Sequence, residues 1–219
     1  MNALHYIYFS MLYLTIVSFI SQYKHLDYIL KILFLYLVTL ALINSMGMYV
    51  RLGLQVKNNL FLYHILTPVE YTLLSLIYYS ALKSVLMKKV IRWSMYGFVV
   101  ICIVLTLFVE GMQVIDSFAR SIEALLVTIW ILAYFYQILK TTKILNMQSD
   151  PLFWISLGFL IYFIGNLFIK GLLNTLIIQN RVLAKTFYQY LYLLEFNLFI
   201  QINIALYCRR IFKERIKIK

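Results

Sequence analysis

Residues 151–173, PLFWISLGFLIYFIGNLFIKGLL, decide the fold class of this chain. Lys170 is the single charged residue in this stretch, and most of the others are aliphatic or aromatic. An α-helix rises about 1.5 Å per residue, so a run of about 20 apolar residues crosses the hydrocarbon core of a bilayer. The stretch therefore predicts a transmembrane helix. Pro151 suits the first turn of that helix, and Asp150 precedes it as the capping residue.

Six further segments have a similar length and composition. The seven predicted spans are residues 5–22, 28–50, 60–82, 91–109, 118–140, 151–173 and 185–208. Hydrophobic residues make up 63% of the 219 residues and charged residues only 13%. A soluble domain usually has about 45–50% apolar and roughly 25% charged residues, so lipid must cover the excess apolar surface. The sequence predicts an all-α polytopic membrane protein, with a seven-transmembrane-helix bundle over residues 1–208 and a short basic cytoplasmic tail over residues 209–219.

The lysines and arginines between the spans predict an orientation. Cytoplasmic loops of membrane proteins are rich in Lys and Arg. If the N-terminus is outside, most of these residues lie on the inner side: Lys24, Lys31, Lys83, Lys88, Lys89, Arg92, Lys140, Lys143, Arg209, Arg210, Lys213, Arg215, Lys217 and Lys219. We therefore predict a multi-pass protein of the inner (cytoplasmic) membrane with a cytoplasmic C-terminus. The net charge of +12 then comes from the inner loops, so the expected partner is the lipid bilayer and not nucleic acid.

A weak repetition relates the third and seventh spans. Tyr63 lies seven residues before Glu70, and Tyr188 lies seven residues before Glu195. The two spans run in the same direction, as do the first and fifth. This pattern favours two parallel triple-helix units joined by the fourth span, a 3+1+3 pseudo-repeat. Parallel repeats occur in some transporters, and the same arrangement also suits receptor-like bundles.

Ionisable residues inside the spans indicate where a functional site lies. Each costs about 2.5–3.5 kcal/mol at the centre of the bilayer even on the mildest scale, so such residues are kept for structure or function. At about 100° per residue they share helix faces with other polar side chains. We predict a tyrosine-rich polar pocket that opens outward and binds a small ligand. Its predicted ligand-binding residues are Glu70, Glu195, His64, Tyr63, Thr67, Tyr71, Tyr188, Tyr192 and Asn166.

Some of the polar residues also have a structural interpretation. Glu123 and Lys170 are suited to an interhelical ion pair that fixes packing. Arg120 lies three residues before Glu123, so these two can also pair along one helix. His64 is more typical of a hydrogen-bonded structural histidine than of a ligand-binding one.

Proline and glycine predict local features of two helices. Pro68 is expected to break the third helix locally and to free a backbone carbonyl beside Glu70. Gly158 and Gly165 share one face of the sixth span, which predicts a close helix–helix contact there.

Sequence motifs of established chemistry are missing. There is no HExxH, GxSxG, P-loop or dinucleotide-binding fingerprint. The three histidines, His5, His25 and His64, fall at different depths and do not form one metal site. The seventh span lacks the lysine that a retinal protein uses as its Schiff base. We therefore predict no catalytic residue, no metal and no cofactor, and favour a role other than catalysis.

Two stretches carry a resemblance to known proteins. Residues 58–71, NNLFLYHILTPVEY, have paired asparagines before an aromatic-rich span with a glutamate in mid-helix. Residues 150–168, DPLFWISLGFLIYFIGNLF, open the sixth span with Pro-x-Phe-Trp. Both stretches resemble the small, mostly uncharacterised seven-helix inner-membrane proteins of Bacteroidota. The resemblance implies an inner-membrane location and no established activity.

Three functions are consistent with these features. The favoured one is a receptor-like sensor that binds a small ligand in the outer half of the bundle and signals to a separate cytoplasmic protein. The second is a small-molecule or ion transporter or channel, which the repeats and mid-depth carboxylates suggest. The third is a lipid-modifying enzyme that uses Glu70 and Glu195 as acid and base. A site closed on the cytoplasmic side favours the sensor, and a path to both faces favours transport. A lateral opening beside paired carboxyls favours the enzyme.

Overall fold

The computed structural model describes residues 3–55, 58–114, 116–140 and 147–216. Within these ranges the side chains of residues 3, 170–175, 177–178, 181, 188 and 209–216 are not described. These ranges form seven long helices and contain no strand, which confirms the all-α class. The helices are α1 Ala3–Gln22, α2 Tyr28–Leu52, α3 Phe61–Ala81, α4 Val85–Leu105, α5 Ser117–Lys140, α6 Pro151–Gln179 and α7 Arg181–Ile216. A 3-10 turn, Tyr23–His25, follows α1, and a π-helical turn, Thr106–Glu110, extends α4.

Six of these helices are long and apolar enough to cross a membrane. The candidate spans in the described residues are Leu4–His25, Tyr28–Leu52, Val85–Glu110, Ser117–Lys140, Pro151–Ile169 and Val182–Cys208. The 21 residues of α3 extend about 31 Å, which is also enough, but α3 is less apolar. It packs against α2, α4 and α5 and buries Thr67, Glu70 and Ser75. Because α3 faces protein rather than lipid, hydropathy identifies it poorly.

Successive helices run in opposite directions. Asn44 of α2 donates to the Tyr8 hydroxyl of α1 at 3.1 Å, whereas further along α1 the Phe19 ring stacks on Phe34 at 6.1 Å between centroids. The other helix pairs follow the same alternation. The bundle therefore has a first end, where α1 begins and α2 ends, and an opposite second end. The charged residues Lys83, Lys88 and Arg92 lie at the second end.

The helices form two triple-helix units that contact each other at equivalent places. In one unit α2 packs on α1 and α3, and in the other α6 packs on α5 and α7. The units meet where α3 contacts α5 and where α7 contacts α1, while α4 lies outside this ring and packs mainly on α3. Exchanging α1 with α5, α2 with α6 and α3 with α7 leaves the ring contacts unchanged. This is the arrangement that the predicted 3+1+3 pseudo-repeat requires.

Burial along α3 and α7 follows the same register. Leu66, Leu73, Leu74 and Ile77 are buried on α3, and the residues 125 positions later are buried on α7: Leu191, Leu198, Phe199 and Ile202. This register aligns Glu70 with Glu195. The two helices therefore present corresponding faces to the interior.

Two helices are longer than the predicted spans. The fourth span was predicted to begin at residue 91, but α4 begins at Val85, where the Ser84 hydroxyl accepts a hydrogen bond from the backbone N–H of Met87 at 3.4 Å. α7 begins at Arg181, directly after Asn180, and continues to Ile216, so residues 209–216 extend the last helix. Its apolar span still ends at Cys208, as predicted. Charged residues end the apolar run without ending the helix, so hydropathy locates the span more closely than the helix.

Other local predictions have mixed outcomes. The Asp150 cap is confirmed, since its Oδ1 accepts from the backbone N–H of Leu152 at 3.0 Å. The break at Pro68 is wrong, because α3 is continuous from Phe61 to Ala81. The close contact at Gly158 is confirmed, since a Cβ there would lie only 2.8 Å from Cβ of Gln201 on α7.

Candidate functional site

A chain of buried polar side chains links α2, α3 and α5 between the middle of the bundle and its first end. Glu70 is only 2% exposed; its Oε1 accepts from the Tyr36 hydroxyl at 3.0 Å and its Oε2 from Nη1 of Arg120 at 3.3 Å. Nε of Arg120 lies 3.2 Å from the Asp116 carboxylate, one turn earlier on the chain. Asp116 also accepts a short hydrogen bond from the Thr67 hydroxyl. These five residues, here called the ion network, satisfy one another inside the protein.

Arg120 is the cation of the ion network and pairs with both of its carboxylates. Moving a charge out of water costs several kcal/mol, and this is recovered only when a partner of opposite charge lies close in good geometry. Arg120 has two such partners, Glu70 on α3 and Asp116 just before α5. It therefore holds together two helices that lie far apart in sequence.

The partners of Arg120 correct the sequence analysis. In the described residues its ion pairs go to Glu70 and Asp116, not to Glu123. Asp116 was missing from the predicted site, because it sits in the short polar connection before α5. The spacing of four residues between Asp116 and Arg120 is typical of a helical ion pair and is the signal that points to it.

The predicted ion pair between Glu123 and Lys170 is not tested by the described side chains. Glu123 is buried on α5, one turn beyond Arg120. Lys170 lies on α6, but its side chain is outside the described part of the structure. The ion pair between them stays a prediction.

A second polar cluster joins α1, α2, α3 and α7. Nδ1 of His5 lies 3.2 Å from the Tyr192 hydroxyl. The Asn44 side chain bridges two helices: it donates to the Tyr8 hydroxyl at 3.1 Å and accepts from the Tyr63 hydroxyl at 3.2 Å. The structure therefore places Tyr63 and Tyr192 in this cluster, away from direct contact with Glu70. The side chain of Tyr188, another predicted ligand residue, is outside the described part.

Glu195 occupies the position on α7 that corresponds to Glu70 on α3. Its side chain is partly buried. Tyr162, buried on α6, interacts electrostatically with both Glu70 and Glu195.

Tyr71 and His64 point toward α4 and the loop that follows it. The Tyr71 hydroxyl donates to Ser94 at 2.7 Å and accepts from the Trp130 indole N–H at 3.3 Å. His64 contacts the Thr106 hydroxyl through Nδ1 at 3.0 Å and the backbone carbonyl of Val114 through Nε2 at 2.9 Å. Both residues hold α4 against the bundle. This arrangement supports the structural interpretation of His64.

Among the described residues with buried polar atoms that lack a hydrogen-bond partner, Asn166 is the one in which both the donor and the acceptor of the side chain lack one. It lies on α6, one turn from Tyr162 toward the first end, and is 5% exposed. Neither Nδ2 nor Oδ1 has a hydrogen-bond partner. A buried polar group without a partner costs about 1–3 kcal/mol, and an amide offers two donors and an acceptor. Asn166 is therefore the group in the described part that is best suited to an incoming polar molecule.

The predicted outward-opening pocket is wrong in one respect. Glu70, Thr67 and Asn166 are at most 5% exposed, so they do not line an open cavity. Two surface grooves lie away from these three residues. One of about 460 Å³ lies between α1 and α2 near Tyr13 and Tyr49. One of about 270 Å³ lies between α3 and α4 and is lined in part by His64, a predicted ligand residue. Among the described residues, no three His, Cys, Asp or Glu side chains come together as metal ligands.

Comparison of the chain with protein-family models, with characterised proteins and with solved structures gives no match. The fold and the site define a class, a membrane-like helical bundle with a buried ion network.

Proposed function

We propose that this protein is a receptor-like membrane sensor. A small polar ligand enters the first-end half, pairs with Asn166 and shifts the ion network around Arg120. The change in helix packing then reaches a separate protein at the second end. The observation that carries this proposal is a buried ion network between the middle of the bundle and its first end, together with the unsatisfied amide of Asn166 on α6.

An apolar layer supports a sensor rather than a channel. Toward the second end from Glu70, buried aliphatic and aromatic side chains from five helices fill the interior. They are Leu33, Leu74, Ile77, Val127, Ile131, Ile155, Phe159 and Ile202. A contact between α3 and α6 marks the depth of this layer: the buried hydroxyls of Tyr78 and Ser156, next in sequence to Ile77 and Ile155, lie 3.2 Å apart and pair with each other. This largely apolar layer supports a barrier between the ion network and the second end.

The ion network provides a two-state element. Arg120 is shared between a carboxylate on α3 and one at the start of α5, so a change in either pair moves one helix relative to the other. A ligand shifts such an equilibrium only by the difference in its affinity for the two states. Without a ligand, the buried Asn166 amide has no hydrogen-bond partner, which costs free energy. A ligand that pairs with Asn166 removes this cost in the bound state, and this supplies the difference in affinity between the two states.

The orientation of the bundle in the membrane determines the side from which the ligand arrives. The second end carries Lys83, Lys88, Lys89 and Arg92. By the distribution of positive charge this end faces the cytoplasm, and the ligand reaches the protein from outside. The basic second end then offers a surface to a cytoplasmic signalling protein.

A transporter is the second candidate. The equivalent contacts of the two triple-helix units favour it, because parallel repeats of this kind occur in transporters. A lipid-modifying enzyme has less support, since Glu70 is buried and ion-paired with Arg120 rather than exposed to water in an open cavity.

A ligand screen with matched variants tests the proposal. The purified chain is unfolded thermally in detergent with a panel of amino acids, sugars and small organic acids. We expect at least one compound to stabilise the wild type and the Asn203→Leu control, but not Asn166→Leu. Asn203 is a suitable control because it donates to Thr15 and to a backbone carbonyl, both at 2.8 Å. A compound that stabilises Asn166→Leu as strongly as the wild type would place the ligand elsewhere.

A flux assay separates the sensor from the transporter. Proteoliposomes containing the chain and a pH-sensitive dye are given a proton gradient or a gradient of the stabilising compound. A sensor gives the same flux as empty liposomes. Flux that requires Glu70, shown by its loss in Glu70→Gln, would replace the sensor with the transporter.

A further inference from the structure

Four cations gather where α3 ends and α4 begins. They are Lys83, Lys88, Lys89 and Arg92, and we call residues 79–93 the α3–α4 corner. Nη2 of Arg92 donates to the Tyr79 hydroxyl at 2.5 Å. The guanidinium carbon of Arg92 and Nζ of Lys88 lie 5.4 and 5.5 Å from the centroid of the same Tyr79 ring. The corner therefore brings two positive charges together at one side chain.

These cations have no acidic partner. The ion pairs in the described residues all involve Arg120, so neither Lys88 nor Arg92 has a carboxylate within 4 Å. Like charges four residues apart on a helix repel each other. The tyrosine ring offsets part of this repulsion through cation–π attraction. An anion placed between Lys88 and Arg92 would turn the remaining repulsion into attraction.

The apolar surface beside the cations indicates which anion fits. Trp93, Tyr96 and Val100 follow Arg92 on α4 and are 66%, 65% and 59% exposed. In a helix that crosses the membrane, such side chains lie against acyl chains, and tryptophan is typical of the headgroup level. A ligand with both a negative headgroup and acyl chains matches this surface. Inorganic phosphate or an acidic protein would leave the apolar part unused.

We propose that the α3–α4 corner binds an anionic phospholipid, with the phosphate held between Lys88 and Arg92 beside the Tyr79 hydroxyl. The acyl chains lie along Trp93, Tyr96 and Val100, which follow Arg92 on α4 toward the bilayer centre. Basic groups at the ends of transmembrane helices bind anionic headgroups in this way. The site lies at the opposite end of the bundle from Asn166, so lipid binding there does not depend on the ligand site, although its cations belong to the basic surface proposed above for a cytoplasmic partner.

Native mass spectrometry of the full chain tests this site. The purified protein is titrated with phosphatidylglycerol or phosphatidylcholine, and bound lipid is counted. We expect phosphatidylglycerol to bind in preference, and K88Q/R92Q to bind it roughly 30-fold more weakly, since each surface cation contributes about a factor of five. The control K24Q/K31Q removes the same charge from the α1–α2 corner at the same end, where Lys31 lies 5.9 Å from the Tyr23 ring. It should change binding by about twofold at most.

Three results would overturn the site. The first is an equal loss in K88Q/R92Q and K24Q/K31Q, which would show general attraction to a basic surface. The second is full binding by K88Q/R92Q. The third is displacement of the lipid by soluble glycerol phosphate at equal concentration, which would show that the acyl chains contribute nothing. If K88Q/R92Q does not fold, Tyr79→Phe keeps both charges and the ring, and should still weaken phosphatidylglycerol binding by a few fold through loss of the hydroxyl.

Discussion

Arg120 shows how one side chain can organise the interior of a membrane bundle. Its side chain is 11% exposed, and it contacts the carboxylates of Glu70 on α3 and of Asp116 just before α5. Removing one partner of a buried ion pair leaves an uncompensated charge, which costs about 3–5 kcal/mol. The ion network is therefore stable only as a complete set. Sequence reasoning found Glu70, Thr67 and Arg120 individually, because charge inside a span is conspicuous, but did not find how they pair.

Replacement of Arg120 tests the ion network. We expect Arg120→Met to lower the free energy of unfolding by about 3–5 kcal/mol, because Glu70 and Asp116 lose their counter-charge. The double variant R120M/E70Q should recover part of this loss, since it also removes one of the stranded carboxylates. Chemical unfolding in detergent, followed by circular dichroism, measures both. Arg51→Met, at an exposed position of α2, serves as the control. A loss below about 1 kcal/mol in Arg120→Met would show that Arg120 is not the counter-ion.

At the scale of the helix, apolar length and ordinary capping rules predicted where most elements lie. Asp150 and Pro151 begin α6 as expected, because capping depends only on neighbouring residues. Pro68 did not break α3, because tertiary contacts on three sides hold that helix together. The start of α4 was missed for a different reason. Its first turns carry lysines, which mark the edge of the apolar region rather than the end of the helix.

Glycine substitutions test the packing of α6 on α7. We expect Gly158→Ala to lower stability by about 1–3 kcal/mol, because its new Cβ would come within 2.8 Å of the Gln201 side chain. Gly97→Ala is the matched control: it is also within a helix, and a Cβ there meets nothing within 4 Å. That variant should keep its stability or gain up to about 1 kcal/mol from helix propensity. The thermal unfolding temperatures of Gly158→Ala and Gly97→Ala, each compared with the wild type, test this expectation. Equal behaviour would mean that α6 and α7 are not in close contact at Gly158.

At the scale of the whole molecule, the number and alternation of helices follow from hydropathy, while the contacts between them do not. The sequence indicated a relation between the third and seventh spans from Tyr63, Glu70 and their counterparts. It could not show that α3 contacts α5 just as α7 contacts α1, because those contacts join residues far apart in sequence. The sequence also could not show that α4 lies outside the ring formed by the other six helices. Asp116 escaped prediction for the same reason: its importance depends on Thr67 and Arg120 meeting it in three dimensions.

The distribution of charge between the two ends predicts the orientation of the whole bundle. We expect a green fluorescent protein fused to the C-terminus to fluoresce, because the positively charged second end stays in the cytoplasm. Alkaline phosphatase fused at the same place should be inactive, since it requires export. Neutralising Lys83, Lys88, Lys89 and Arg92 together should weaken this preference and give a mixed population, whereas neutralising Arg51 at the first end should not. An active phosphatase fusion in the unaltered chain would reverse the orientation. The ligand would then have to reach Asn166 from the cytoplasm, and the bundle would report on the cell interior.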